Sequence, residues 1–338
     1  MKICPQCFSD SELKAFISTS TQIGNCGVCS SENVPIIDII ELFDFFQELI
    51  ENFQKTEAGE SLKSKIQGNW SFFTSHDVAT QILNNILAEL TTDISSAEDN
   101  VNYVDEIVEN YGYWEELKDK LKWSNRFFFN TGYLEDLGWD SFFNTQYELT
   151  GDIDFYRARV HHLSGLSPYE THEMMCPNRE ISSGGRANPV GIPFLYLCDN
   201  PETVLYEVRA SYLDELSIGK FHLNRDISSV KIVDFTEDTF LFQPNRVNTV
   251  IKARLLRDKI SQDLSKPMRR YDTEIEYIPT QFICEFIKVY TGASGIRFRS
   301  SLHPSGKNIV LFDQSLMSCS EVSLTKVTSL KLKSNHRI

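Results

Sequence analysis

Arginine is almost absent from the first 150 residues, where Arg126 stands alone, and basic side chains there number 9 against 25 acidic ones. A surface of that sign repels a phosphate backbone, which argues against nucleic acid as a substrate. Long apolar runs are absent too. The richest stretch, Pro35 to Phe53, is interrupted by Asp38, Glu41, Asp44 and Glu48, short of the roughly 18 apolar residues that span a bilayer, so no membrane is expected as a partner. Lys2 is followed by neither an apolar core nor a small-residue cleavage site, which excludes the pattern of a signal peptide and makes the cytoplasm the expected location. There is no internal repeat. What is present is 41% hydrophobic and 12% aromatic residues over 338 positions, enough to bury a sizeable core and a length that fits two domains better than one.

The net charge of -14 belongs to the front half. Residues 151–338 hold 24 basic against 22 acidic side chains, a balanced field in which a small anion could bind but a long polyanion is disfavoured.

Four of the eight cysteines form two Cys-x-x-Cys pairs, Cys4-Pro-Gln-Cys7 and Cys26-Gly-Val-Cys29. Their spacing is that of a zinc ribbon. Four thiolates on one ion leave no position for water, so the zinc is expected to be structural rather than catalytic. Cys176, Cys198, Cys284 and Cys319 lie in apolar sequence and read as small buried hydrophobes.

Pro35 stands where a first helical residue would, and apolar residues from Ile36 to Phe53 recur at three and four residue steps, predicting an amphipathic helix. Two more helices are predicted over Ser75–Leu90 and Tyr103–Lys122, with a polar linker at Ser95–Asn100. From about residue 150 the period shortens. Strands are predicted at 154–160, 193–197, 219–223, 230–235, 282–290, 295–299 and 308–312, and helices at 201–212 and 247–260. The fold class expected is α+β: a zinc ribbon (1–34), a helical domain (35–148), a mixed α/β domain (149–320) and a tail (321–338).

Five pieces of the later half carry candidate chemistry: Arg157 in Phe155-Tyr156-Arg157-Ala158-Arg159, Arg186 in the loop Gly184-Gly185-Arg186-Ala187-Asn188-Pro189, Tyr196, Glu207 and Ser300. Asn200-Pro201-Glu202-Thr203 sets a helix start, which puts Glu207 near Val204 and Ala210 on a flank where an unpaired charge is expensive. Each residue alone also admits a structural role, Arg157 and Glu207 as ion-pair members, Tyr196 as core, and Ser300 as a strand end.

Taken in order, these pieces resemble the RES family, named for its Arg, Glu and Ser. The resemblance runs from about Asp154 to Phe312 and is most specific over Gly185–Pro193, followed by Leu195-Tyr196-Leu197 and Glu207, with Ser300 and Gly306-Lys307-Asn308-Ile309-Val310-Leu311-Phe312 behind. Ala158 follows Arg157 where some members carry tyrosine, and Ser301 competes with Ser300. The front half looks like the zinc-ribbon and helical extension, of the HEPN-RES type, that accompanies some members.

The resemblance implies a fold similar to ADP-ribosyltransferases, NAD as substrate and cleavage between nicotinamide and ribose, with water or inorganic phosphate as acceptor. It also implies a toxin or defence effector restrained by an antitoxin or regulatory protein. By it, Arg157, Glu207 and Ser300 are catalytic and Arg186 and Tyr196 bind the dinucleotide, Tyr196 by stacking on nicotinamide. Three other readings remain: transfer of ADP-ribose to a macromolecule, a non-catalytic binding module, and a ribonuclease. The last draws on Arg157 and His161 at four-residue spacing, but that spacing belongs on a helix and the sequence around it alternates like a strand.

Overall fold

The computed structural model describes residues 1–128, 130–143, 146–237, 239–267 and 274–329. Its chain divides into two compact units, Met1–Tyr113 with Asp238–Leu256, and Trp114–Glu237 with Arg257–Ile338. Among the described residues no helix is long and apolar enough to cross a membrane.

The first unit begins with β1 (Lys2–Ile3), α1 (Ser11–Ser18), β2 (Ile23–Gly24), β3 (Val34–Pro35) and β4 (Ile37–Asp38). It continues with α2 (Phe43–Ile50), β5 (Phe53–Ser61), α3 (Leu62–Trp70), α4 (His76–Leu87), β6 (Asn100–Tyr103) and the start of α5 (Asp105–Trp123). Its core gathers Phe8, Phe45, Phe46, Phe72 and Phe73 with the four ribbon cysteines in one cluster. The helix expected from Pro35 is corrected. Pro35 pairs with Ile23 and Asp38 with Lys2 in two short ladders. Asp38 then caps a 3-10 turn with Glu41 reaching back to its backbone N–H, so α2 starts only at Phe43. Phe53, predicted helical, opens β5, which pairs with β6. The other two helices form as α4 and α5, with the Ser75 hydroxyl accepting from Val78 N–H as the cap of α4.

The second unit adds α6 (Gly132–Asp136), α7 (Trp139–Phe142), β7 (Gln146–Thr150), β8 (Phe155–Val160), β9 (Leu195–Cys198), α8 (Pro201–Glu207), β10 (Glu215–Leu223) and β11 (Ser229–Asp234). After these come α9 (Val247–Leu264), α10 (Ile278–Tyr290), β12 (Gly295–Arg299), β13 (Lys307–Leu311) and β14 (Met317–Lys326). The strands build one eight-stranded sheet in the order β14-β10-β8-β9-β13-β12-β11-β7. Among the described residues only β11 and β12 run parallel. A second expectation is corrected here: 282–290 is not a strand but part of α10. Its many β-branched and aromatic residues mislead, whereas Ile283, Phe286 and Ile287 are buried and Glu285 and Lys288 exposed, the helical period rather than alternation. β14 pairs along β10 through residue 326, within the stretch 321–338 read as a tail.

The feature that positions the site is a weak seam. β8 and β10 pair over six residues, and β9 and β13 over four, but β8 and β9 share the single register pair Tyr156↔Cys198. The sheet opens between them. The helix α8 packs there, its Val204 buried with Ala158, Cys198, Leu216 and Ile218.

Candidate functional site

At that seam lies a cavity of about 320 Å3, lined among others by Tyr156, Arg157, Arg186, Tyr196, Glu207 and Asn308. Each side chain is placed by a local rule. Asn200 accepts from Thr203 N–H at 2.9 Å and Pro201 stands in the first turn, which starts α8 where the sequence predicts it. Seven residues later the helix ends on Glu207, so the carboxylate leaves the last turn half-buried, toward the cavity.

Glu207 Oε1 accepts two hydrogen bonds, from Ser300 Oγ at 2.6 Å and from Asn308 Nδ2 at 2.8 Å. Oε2 has no hydrogen-bond partner among the described residues. Ser300 follows β12 and is buried, its hydroxyl oxygen accepting the backbone N–H of Leu302 at 3.2 Å and of His303 at 3.1 Å. With both lone pairs engaged, its proton is committed to Glu207. Ser300 thus holds the carboxylate, while Ser301 lines the cavity.

Arg157 projects from β8. Its Nη1 is buried and has no hydrogen-bond partner, and burial pushes the guanidinium below its usual range. Cys176 and Tyr196 are the groups that favour its charge, with Arg159 opposing it. Among the described residues no acidic side chain is paired with it, and the Cys176 thiol is the side chain that hydrogen-bonds to it.

Arg186 is more committed. Its Nη1 donates to the carbonyls of Leu264 and Lys266 at 2.8 and 2.7 Å and to Asp263 at 3.3 Å, tying the loop to the end of α9. Its other nitrogens carry the capacity left for a ligand.

Tyr196 is a strut. Its hydroxyl donates to Asn188 Oδ1 at 2.7 Å and accepts from Ala187 N–H at 2.9 Å, and burial pushes its pKa well above the usual range. A Cβ at Gly185 would stand 2.6 Å from that hydroxyl and 2.7 Å from Asn188 Oδ1. Glycine is therefore required for the loop to close over the tyrosine.

Two participants escaped the sequence reading, Asn308 and Cys198, which face each other across β13 and β9. The signal available was a polar residue opening an otherwise apolar strand, Asn308-Ile309-Val310-Leu311. An Asn there needs a buried partner.

In the first unit the ligand sulfurs of Cys4, Cys7, Cys26 and Cys29 all lie within 4.8 Å of one another. The closest pairs are Cys4–Cys29 at 3.4 Å and Cys7–Cys26 at 3.5 Å, near the separation that tetrahedral thiolates on one zinc require. Burial and the Cys29 hydrogen bond push Cys4 up to about 12, and burial pushes Cys7 further. Burial opposes ionisation of Cys29 as well, but hydrogen bonds from Ser31 outweigh it and bring that thiol to about 7. The four cysteines could hold a metal ion, and they are consistent with a zinc ribbon.

The second unit is thus a mixed sheet opened at one seam, with a carboxylate, a hydroxyl and a guanidinium gathered at the opening. The RES domain family matches this chain over residues 155–332, and the chain belongs to that family. Neither a curated protein nor a solved structure matches it. Membership supports an NAD-related function of the toxin type in general.

Proposed function

We propose that this domain cleaves the bond between nicotinamide and ribose in NAD, passing ADP-ribose to water or inorganic phosphate. The observation that carries the reading is that Arg157, which no carboxylate pairs among the described residues, lines the same cavity as Glu207, whose Oε2 has no hydrogen-bond partner there. One is a waiting cation for the pyrophosphate, the other an anion for the ribose.

The chemistry needs little else. When the C1′–N1 bond breaks, its electron pair goes to the pyridinium nitrogen, and nicotinamide leaves neutral without a proton donor. Positive charge then develops on the ribose, and Glu207 Oε2 stabilises it while accepting from a ribose hydroxyl. Water or phosphate adds at C1′, and the proton of water passes to solvent. Arg157 grips the pyrophosphate with a planar fork, and Arg186 adds its free nitrogens. Ser300 orients Glu207 and does not attack. Tyr196 fixes the 185–188 loop, so in this reading it shapes the pocket rather than stacking on nicotinamide. The fold kinship with ADP-ribosyltransferases, one zinc in the ribbon, and restraint by an antitoxin or regulatory protein belong to the same proposal.

The test is NAD consumption by the purified full chain with and without inorganic phosphate, with products resolved by mass spectrometry. Nicotinamide with ADP-ribose is expected from hydrolysis, and ADP-ribose 1″-phosphate from phosphorolysis. Intact NAD under both conditions would overturn the reading.

A further inference from the structure

The orientation of Glu207 depends on two residues outside the Arg, Glu and Ser set. Asn308 is 7% exposed and Cys198 5%, and the two stand directly opposite on β13 and β9. Cys198 Sγ lies 3.2 Å from Asn308 Oδ1, and Asn308 Nδ2 lies 2.8 Å from Glu207 Oε1. An amide can be placed either way round, and the neighbours decide which. Burial, and then the charge of Glu207, push the Cys198 thiol far above its usual range, so it keeps its proton and can donate. A thiol proton requires the amide oxygen. The flipped amide would aim its oxygen at a carboxylate and its NH2 at a poor sulfur acceptor.

We propose that Asn308 is a positioning residue for Glu207, locked by the Cys198 thiol so that Oε1 is always occupied and Oε2 is the oxygen offered to substrate. The inference rests on the reading of Glu207 as the carboxylate facing ribose. Two donors on one oxygen deny Glu207 the rotation that would present either oxygen. The ionisable groups around it are Cys198 on β9, Arg186 on the glycine loop and His303 in the turn after Ser300, with Arg157, Tyr156 and Tyr196 on the cavity wall. The charge of Glu207 acts on both Arg186 and the Cys198 thiol, and Arg186 is present in every variant considered below.

The experiment compares Asn308→Ala, Cys198→Ala and Cys198→Ser with the wild-type full chain. Two readouts are taken: the pH profile of kcat for nicotinamide release, and the titration of the Glu207 carboxyl carbon by NMR, assigned against Glu207→Gln. Asn308→Ala is expected to lower kcat about tenfold with KM within about twofold, and to move the acid limb up by about one pH unit. Cys198→Ala should do the same in part, about threefold, while Cys198→Ser restores a donor and stays within about twofold of wild type. A Glu207 midpoint unmoved in both alanine variants overturns the proposal. If the wild type leaves NAD intact, the nicotinamide reading falls, and the NMR midpoint still decides whether Asn308 governs Glu207. Should Asn308→Ala fail to fold, Cys198→Ala, which deletes one sulfur, decides the question by the same midpoint.

Discussion

The ribbon of the first unit and the cavity of the second each gather polar groups in a buried place, and they end in opposite states. In the ribbon every thiol faces another thiol, and the four sulfurs converge on one point embedded in the hydrophobic core. In the cavity the groups do not complete one another. Arg157 keeps a buried nitrogen without a partner and Glu207 keeps one oxygen without a donor. Closure of a polar set serves stability, whereas incompleteness is tolerated against stability and marks where something else binds.

That contrast can be broken by removing each set in turn. The largest effect is expected in the ribbon. Stripping metal with a chelator, or Cys7→Ser, should lower the melting temperature of the first unit by more than about ten degrees, because zinc binding to four thiolates supplies folding energy directly. Metal analysis should return about one zinc per chain. A chain without metal and with the same melting temperature would dissolve the contrast. Next comes Glu207→Gln, expected to cut nicotinamide release about a thousandfold, with circular dichroism and melting unchanged.

Arg157→Met sharpens the comparison because its two effects have opposite sign. Removing a buried cation that no carboxylate pairs among the described residues should raise stability by about 1–3 kcal/mol in chemical denaturation while NAD turnover falls about a hundredfold. A destabilised variant would mean that the contact with Cys176 outweighs the cost of burying the charge. The smallest effect is expected at Asp99, a surface carboxylate whose partners are complete. Lys55, then Ser95, hold it down at about 2. Its folded value lies below the unfolded one, so its stabilising contribution is present above about pH 4 and lost as pH falls toward 2. Asp99→Asn should cost less than about 1 kcal/mol at neutral pH and nothing measurable at pH 2, read from urea midpoints.

How much of this was legible beforehand depends on whether a residue acts through local spacing or through long-range pairing. The ribbon cysteines and the cap at Asn200 are local, and they read directly, whereas the helix expected over 201–212 ends at Glu207, five residues early. The helix expected from Pro35 failed because residues 34–38 are claimed by ladders to residues 2–3 and 23–24, partners that no window of sequence contains. The helix α10 failed for the opposite reason, since local composition favoured a strand while its buried face kept helical spacing. At the site, Arg157, Arg186, Tyr196 and Glu207 do line one cavity, and Ser300 joins it through Glu207. Asn308 and Cys198 were out of reach. Their role arises from register between β13 and β9, which are 110 residues apart at that pair.

The single register pair between β8 and β9 has a structural consequence. The sheet is a three-stranded ribbon and a five-stranded plate joined by one rung of backbone, so what spans the join is mostly side chain: Ala158 and Leu216 with Cys198 and Val204 in one cluster, Phe155 and Phe221 with Leu195 and Leu197 in another. Backbone groups that a continuous ladder would consume are spared at that join, and the cavity occupies the place where the ladder is missing.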